Sequence, residues 1–379
     1  MQGGGLYCLL EGSNKMAVFT DGSTRVESEC SDSIISGYDH SSSLSQTTAI
    51  AKKVLTDVMR FRRISGPQTA CFASPCQDCL TPHLPKIVSA VAQGKPITFV
   101  LPAFPGKSPN PDKVLGPLPD MAERRALEFL QHLCDRIKQH YSPGGRIILC
   151  SDGRVFSDVV GMRDEDVTAY QEELSKMIAE LNLTAISTFN LEELYGRLSF
   201  DQMRSQLMER HGEHLEVLKA AVSRGGKDHE FSPNYTEDDK EAHRLYCGIT
   251  RFLFEDAMVP GQKKSRTALQ KESRVRAYEV IQRSKAWGEL IEVRFPDAVR
   301  LSIHPQSCGA KKLGIRLIEP DNWQTPWHGV AVDVGGRFML LKRAQAETLG
   351  ARLVYQGGRP SHYVLPDETA LLKLQGPRA

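Results

Sequence analysis

The sequence predicts an α/β fold: a Rossmann-like parallel sheet with crossover helices, followed by a mainly antiparallel C-terminal β region. Between residues 97 and 190, the apolar runs "ITFVL", "RIILC" and "TAISTFN" alternate with amphipathic helical patterns, which is typical of parallel βαβ units. From residue 290 onward the pattern changes to short β-type runs with close turns. A chain of 379 residues that is 40% hydrophobic can bury a large core around such a sheet.

The predicted domain organisation has a tail and one folded domain. The N-terminal residues are rich in Ser, Gly and Asp and show no sustained period, which favours a flexible tail. The predicted parts are the tail (1–45) and the domain (46–370), which contains a Rossmann-like part (about 95–190), a helical middle (191–286) and the β region (287–370).

The first predicted elements are helices from about Thr47 and at 83–93, before a buried strand at 97–101. Six prolines and two glycines fall within 97–120, so a rigid loop follows this strand. Asp120 is placed to cap the next helix. "RIILCSDG" then predicts a second strand, 164–181 a helix, and 184–190 a third strand.

The β region is predicted from five runs of strand-like residues. "DVGGRF" indicates a hairpin turn, because paired glycines supply the positive φ angles that such turns need. The runs read as strands are "LIEVRF", "VRLSIH", "GIRLIE", "GVAVDVGGRFMLLKR" and "YVL".

The composition excludes several classes of protein. Lys plus Arg is 48 against 46 for Asp plus Glu, so there is no global basic field for nucleic acid and any anion site must be local. No apolar run is long enough to span a membrane, and the start of the chain lacks the features of a secretory signal. Nine scattered cysteines are unlike a disulfide framework. We therefore expect a cytoplasmic protein with free thiols, no membrane partner and no nucleic-acid partner.

Polar side chains follow the first two predicted strands. Lys107 and Ser108 lie in the proline-rich loop, and Asp152, Arg154 and Asp158 follow the second strand. Ligands bind beyond the carboxyl ends of parallel strands, so these groups are candidates for an anion-binding and proton-transferring site. A polar turn is the simpler interpretation of "SDGR" alone. Its position beside the rigid loop favours the functional interpretation.

A second set of candidates lies in the β region: Arg300, His304, Lys311, Lys312 and His328. Histidine titrates near neutral pH and suits proton transfer, while Arg and Lys suit phosphate and carboxylate. A single histidine between strands is more often structural than catalytic. Two histidines with cations nearby strengthen the functional interpretation.

A CxxC pair followed by a histidine raises the possibility of zinc. Cys76, Cys79 and His83, with Cys71 nearby, provide ligand types that zinc accepts. Because a second CxxC pair is missing, we favour reduced structural cysteines and assign no metal. GxGxxG after a strand, GxxxxGK[ST], HExxH and GxSxG are also absent, so nicotinamide, P-loop, zincin and esterase classes lose support.

With these motifs in hand, the chain resembles the isocyanide (isonitrile) synthases of the dityrosine/pyoverdine biosynthesis family, over roughly residues 50–365. The motif that carries the resemblance most strongly is "FVLPAFPGKSPNPDKVLGPLPDMAE". "IILCSDGRVFSDVVGM", "LSIHPQ", "KKLGI" and "TPWHGV" follow in the family's order.

The resemblance implies a cofactor-free enzyme of secondary metabolism that condenses an L-amino acid with ribulose 5-phosphate, whose carbonyl carbon becomes the isonitrile carbon. Tyrosine is the favoured amino acid, and tryptophan is next. On this basis Lys107 and Arg154 are expected to contact the sugar phosphate or an oxyanion, and Asp152 or Asp158 to handle the amine. The remaining candidates are two proton carriers (His304, His328) and groups that bind substrate (Ser108, Arg300, Lys311, Lys312).

The resemblance also implies a partner and leaves alternatives open. Later oxidation of the isonitrile would need a separate Fe(II)/2-oxoglutarate dioxygenase. One alternative product is N-formyl-tyrosine, as in the dityrosine branch. The other alternative is a non-catalytic protein that binds a phospho-sugar or an amino acid, although a binding protein gains little from clustered groups of perturbable acidity.

Overall fold

A five-stranded parallel sheet lies at the centre of the fold. The computed structural model describes residues 40–65, 71, 74–226, 236–321 and 324–366. Every strand pair in this sheet is parallel, so the predicted α/β class with a Rossmann-like sheet is confirmed. The strand order is β3-β2-β1-β4-β5, with β1 at Ile97–Leu101, β2 at Gly145–Cys150, β3 at Ile186–Phe189, β4 at Val299–Ser302 and β5 at Leu313–Gly314.

Helices connect and cover these strands. Within the described residues they are α1 (His40–Val58), α2 (Gln77–Leu80), α3 (Leu84–Ala92), α4 (Met121–Lys138), α5 (Gly153–Val160), α6 (Asp164–Glu180), α7 (Glu192–Tyr195), α8 (Phe200–His211), α9 (Leu215–Gly225), α10 (Glu237–Ala257), α11 (Arg266–Arg294) and α12 (Arg343–Thr348).

The central sheet is buried on both faces. On one face, α1, α3, α4 and α6 pack their apolar residues against Phe99, Leu101 and Ile147. On the other face, α8 and α11 cover Val100, and Trp287 of α11 donates from Nε1 to the carbonyl of Cys150 at 3.2 Å. Burial on both faces explains why these strands read as continuous apolar runs in the sequence.

A second sheet of four strands follows in the C-terminal part. Its order is β7-β6-β9-β8, with β6 at Val330–Val334, β7 at Arg337–Leu341, β8 at Arg352–Gln356 and β9 at Arg359–Leu365. Two of its pairings are antiparallel and β6–β9 is parallel, which agrees with a mainly antiparallel region. Gly335 and Gly336 have φ angles of 62° and 86°, as the predicted hairpin turn requires.

Several elements differ from the prediction. Residues 290–294 continue α11 instead of forming a strand, because Leu290 and Ile291 are buried on one side of the helix while Val293 is exposed. The runs around 299–302 and 313–314 belong to the parallel sheet. "SDGR" opens helix α5, and α1 begins at His40, before the predicted Thr47. Residues 1–39 of the predicted tail and residues 367–370 of the predicted domain lie outside the described residues.

The backbone contacts group Ser41–Ala379 as one unit. Among the described residues, no helix combines the length and apolarity that a bilayer crossing demands.

Candidate active site

The proline-rich loop after β1 contains a fully buried lysine. The Nζ of Lys107 lies 2.9 Å from Asp120 Oδ2, 2.8 Å from Glu123 Oε2 and 3.1 Å from the carbonyl of Pro326. Burial disfavours the charged amine, but the two carboxylates outweigh it and raise the pKa of Lys107. The expectation that Lys107 faces an anionic substrate is therefore not supported, because its charge is already neutralised inside the protein.

The two carboxylates that hold Lys107 also begin helix α4. Asp120 accepts a hydrogen bond from the backbone N–H of Ala122 at 2.8 Å, and Glu123 accepts one from the N–H of Asp120 at 3.0 Å, which completes a capping box. Burial raises the pKa of Glu123 to about 7, although Lys107 opposes the shift. Tyr170 donates to the other Glu123 oxygen at 3.2 Å. The lysine thus joins the loop to the start of α4.

The same loop packs closely on the start of α5. The carbonyl of Phe104, a residue with φ of 59°, accepts hydrogen bonds from Ser151 at 3.0 Å and Gln171 at 2.7 Å. A Cβ on Gly153 would lie 1.8 Å from the carbonyl oxygen of Pro105, so only glycine fits at that position. The prolines and the glycine therefore fix the loop against the carboxyl end of β2.

His328 lies beside a buried aspartate that the sequence did not single out. Its Nε2 is 3.8 Å from Asp256 Oδ2, a buried oxygen without a hydrogen-bond partner among the described residues, and its Nδ1 is 3.0 Å from Thr325 Oγ1. Ser108 donates to the other Asp256 oxygen at 2.7 Å, and Lys113 pairs with it closely. The loop thus positions Asp256 through Ser108, and Asp256 faces the imidazole.

His328 is held in its neutral form. Desolvation lowers its pKa to about 4; Asp256 opposes this shift, and the charges of Lys113, Lys107 and His304 add to it. Its ring packs edge-to-face on Phe252 at 4.8 Å. At neutral pH the imidazole is therefore neutral, so it can accept a hydrogen bond and relay a proton from one ring nitrogen to the other but does not hold one.

Asp152 and Arg300 have buried polar atoms without hydrogen-bond partners. Asp152 follows β2 and Arg300 lies in β4 opposite Val100, near the carboxyl end of the sheet. Asp152 Oδ1, and Nε and Nη1 of Arg300, have no hydrogen-bond partner among the described residues. Unsatisfied buried groups of this kind are rare in folded proteins, so they indicate a ligand site.

Burial controls the acidity of both groups. It raises the pKa of Asp152 to about 7, and the nearby Arg300 offsets part of that shift. Burial also lowers the pKa of Arg300, although Cys150, Glu292 and Asp152 oppose it. An aspartate with a pKa near 7 is suited to general base catalysis at neutral pH.

Lys312 lies near Arg300, directly before the neighbouring strand β5. Leu301 pairs with Leu313, and both leucines are buried on the face of the sheet that α1 and α4 cover. Since side chains alternate along a strand, Arg300 and Lys312 both project from the opposite face. Desolvation lowers the pKa of Lys312, and the charge of Arg300 lowers it further. Two adjacent cations can bind an anion bearing more than one negative charge.

His304 and Lys312 reach water and yet are desolvated. Both side chains are exposed, but desolvation is the largest cause of the lowered pKa of each. Exposure and desolvation agree if both side chains line a recess. In a recess, protein atoms replace most of the surrounding bulk water, although a narrow layer of water still reaches each side chain. Arg63 and Lys312 also lower the pKa of His304. Lys311 is exposed next to this pair.

Arg154 and Asp158 lie in a different set of contacts. Arg154 pairs with Glu192 at 2.9 Å and lies over the ring of Phe200. Asp158 is 41% exposed and pairs with Arg283 at 2.7 Å and Arg204 at 3.4 Å. Helix α5 explains this separation: its first residue follows Asp152 directly, and the next turns carry Arg154 and Asp158 into contact with α7, α8 and α11. The structure does not bring these two residues together with Asp152.

The candidate site therefore combines five predicted residues with one that sequence reasoning missed; the fifth predicted residue is His328, which lies beside the missed Asp256. Asp152 follows β2, as the loop rule predicts, whereas Arg300 lies within β4, His304 follows β4 and Lys312 directly precedes β5. Asp256 lies at the end of α10, within "RFLFEDA", where its position resembles that of any acidic residue on an amphipathic helix. Only the tertiary contact with Ser108 and His328 distinguishes it.

Comparisons with known proteins agree on one family. The model of the pyoverdine/dityrosine biosynthesis protein family matches residues 87–354. An L-tryptophan isonitrile synthase of Fischerella ambigua is 45% identical over 326 residues, which is 86% of this chain and 94% of that protein. An L-tyrosine isonitrile synthase of Pseudomonas aeruginosa is 44% identical over 84% of this chain and 95% of that protein. The crystal structure of the PvcA protein from Pseudomonas aeruginosa matches with a TM-score of 0.76 and 44% identity, covering 84% of this chain and 100% of that one.

Proposed function

The chain belongs to the pyoverdine/dityrosine biosynthesis protein family and is an enzyme of the isonitrile synthase type, and from this premise we propose that it condenses an L-amino acid with ribulose 5-phosphate. The observation that carries the proposal is the pair formed by Asp152 and Arg300, whose buried polar atoms lack partners at the carboxyl end of the sheet. The reaction needs a base for the amine and cations for the phosphate, and this pair supplies one of each.

Asp152 is the proposed general base. The α-amine of an amino acid must lose a proton before it attacks the ketone of the sugar, and a carboxylate with a pKa of about 7 can accept that proton at neutral pH. His328, held neutral beside Asp256 and Thr325, is proposed to relay a proton to the hydroxyl that leaves, by accepting a proton at one ring nitrogen while the other nitrogen donates its own. His304, close enough to Lys312 for that charge to lower its pKa, is proposed as a second proton carrier.

Arg300 and Lys312 are proposed to bind the phosphate of the sugar. Replacing Arg300 with methionine is expected to raise the KM for ribulose 5-phosphate by about 10- to 100-fold, since charge-assisted hydrogen bonds contribute about 1.5–3 kcal/mol. Steady-state kinetics with each substrate varied in turn measure this effect. Arg146 on β2, whose guanidinium donates to Thr98 in an exposed position, is the control: R146M should leave both KM values unchanged. An R300M variant that raises only the KM for the amino acid would place Arg300 at the substrate carboxylate instead.

The proposed amino acid is aromatic, with tyrosine favoured over tryptophan. The two relatives that act on tryptophan and tyrosine are 45% and 44% identical to this chain, so overall similarity does not separate these substrates. Incubation of each amino acid with ribulose 5-phosphate, followed by mass analysis, tests the proposal and identifies the substrate. An isonitrile is the expected product. N-formyl-tyrosine would support the formyl-forming alternative, and binding without turnover would contradict the proposed reaction. A separate dioxygenase is proposed to oxidise the isonitrile afterwards.

A further inference from the structure

Four cysteine side chains converge outside the proposed active site. The Sγ atoms of Cys71, Cys76, Cys79 and Cys308 all lie within 4.8 Å of one another. Five of the sulfur pairs are separated by 3.3–3.7 Å: Cys71–Cys76, Cys71–Cys308, Cys76–Cys79, Cys76–Cys308 and Cys79–Cys308. Among the residues that the structure describes, these four form the group whose ligand atoms are close enough to share an ion.

The sulfur spacing fits a tetrahedral zinc site. With Zn–S bonds of about 2.3 Å, the sulfurs of a regular tetrahedron lie about 3.8 Å apart, within about half an ångström of the five distances. The same distances are far longer than the roughly 2.05 Å of a disulfide bond, and all four thiols are free. We propose that Cys71, Cys76, Cys79 and Cys308 bind one structural Zn²⁺ that ties the β4–β5 connection to the segment before α3.

The local backbone supports this assignment. The CxxC segment turns into α2, where the backbone N–H of Leu80 donates to the carbonyl of Cys76 at 3.3 Å, so Cys76 and Cys79 lie on one turn with their sulfurs 3.7 Å apart. Gly309, with a φ of 78°, brings the connection close to this turn, since a Cβ there would lie 3.9 Å from the carbonyl oxygen of Asp78. The four ligands thus come from one short segment and from a loop more than two hundred residues away.

The proposed site differs from the sequence interpretation of the cysteines. From the sequence alone, no metal is assigned because a second CxxC pair is missing, and His83 is offered as the further ligand type. Cys308 takes that place, while His83 lies buried before α3 and burial, with the charge of Lys86, lowers its pKa to about 4. A single cysteine in a distant loop leaves no spacing signal in the sequence.

The proposed ion would fix the β4–β5 connection, which carries residues of the candidate active site. The connection between β4 and β5 carries His304 and Lys312, and the chain before the cysteines already pairs with it. Ser65 donates to the carbonyl of Gln306 at 3.0 Å, and Gln306 donates back to the carbonyl of Arg63 at 3.1 Å. Zinc at Cys308 would add a third fixed point to this connection, which would keep His304 in place.

Metal analysis of the purified protein tests the proposal without any measurement of activity. We expect one zinc per chain, retained through gel filtration with a chelator and released when a mercurial reagent blocks the thiols. Cobalt exchanged into the site should give the intense visible bands of tetrahedral thiolate coordination. C308S and C76S should lose the metal, whereas C247S, which removes an exposed thiol near His243, should retain it.

Two results would overturn the proposal, and both come from the wild-type protein, so a misfolded variant cannot hide them. The first is a metal content far below one per chain while all four thiols react rapidly in the native state or form disulfides. The second is iron in place of zinc in protein grown with zinc supplied. Failure of the isonitrile assay would leave the metal result unaffected.

Discussion

Replacing Asp152 with asparagine is expected to lower kcat/KM by about 10²–10⁴-fold, the usual contribution of a positioned general base. Asparagine matches the shape of aspartate but cannot accept the proton of the amine. The side chain makes no ion pair that the fold needs, and its Oδ1 has no partner among the described residues. Steady-state kinetics of D152N, with circular dichroism to confirm folding, measure the effect.

Asp158 provides the contrast for this experiment. Both aspartates follow β2, and the sequence placed them at the same edge of the sheet. Asp158 is instead exposed and engaged with Arg283 and Arg204. D158N is therefore expected to stay within a few-fold of wild-type kcat/KM. Equal losses in D152N and D158N would mean that the local structure of α5, and not the base, explains the effect.

The pH dependence follows from the same residue. Burial raises the pKa of Asp152 from its ordinary value of 3.8 to about 7, and the base acts only when it is ionised. Activity should therefore be full above pH 7 and fall by about tenfold per pH unit below it. The pKa of His328 is about 4, so the titration of this histidine does not produce the fall in activity expected near pH 7. The acid limb should disappear from the residual activity of D152N.

Replacing Lys107 with methionine is expected to destabilise the protein by about 3–5 kcal/mol, because it leaves two buried carboxylates without their cation. Asp120 and Glu123 both lie within 3 Å of the lysine, at distances of 2.9 and 2.8 Å, and neither can reach water easily. The midpoint of chemical unfolding, followed by tryptophan fluorescence, measures the loss. The substitution tests whether this residue holds the fold or binds substrate.

Two further variants complete the test of Lys107. K138M removes a lysine whose pair with Asp135 is about half exposed, so we expect a change below about 0.5 kcal/mol. E123Q added to K107M removes one uncompensated charge and should restore part of the stability, since glutamine still accepts from Tyr170. A K107M protein that is as stable as K138M, but has a raised KM for ribulose 5-phosphate, would contradict the structural role and show that Lys107 binds the substrate.

The central sheet could be predicted from the sequence because its signals are local. β1, β2 and β3 are short β-branched runs between helical patterns, and burial on both faces produces such runs. The run "LIEVRF" fits both a strand and a buried helix over its short length. Packing of Leu290 and Ile291 of α11 in the cluster around Val100 decides for the helix, and that packing is not visible in the sequence.

The candidate site could be predicted only in part. The loop rule predicts Asp152, whereas Arg300 is a candidate from the sequence only as a cation of the predicted β region; the structure places both near the carboxyl end of the parallel sheet. Lys107 looked available for a substrate because its partners, Asp120 and Glu123, read as ordinary helix-start residues in the same motif. Asp256 and Cys308 belong to their clusters through contacts across 148 and 237 residues, and no local pattern reports such contacts.

The most direct test of the proposed function is to trace the carbonyl carbon of ribulose 5-phosphate into the product. Ribulose 5-phosphate labelled with ¹³C at its carbonyl carbon is incubated with the accepted amino acid and the wild-type protein, and the product is analysed by ¹³C NMR and mass spectrometry. The proposed function predicts that the label appears as the isonitrile carbon bonded to the nitrogen of the amino acid. A labelled formyl group, or an isonitrile without label, would contradict it.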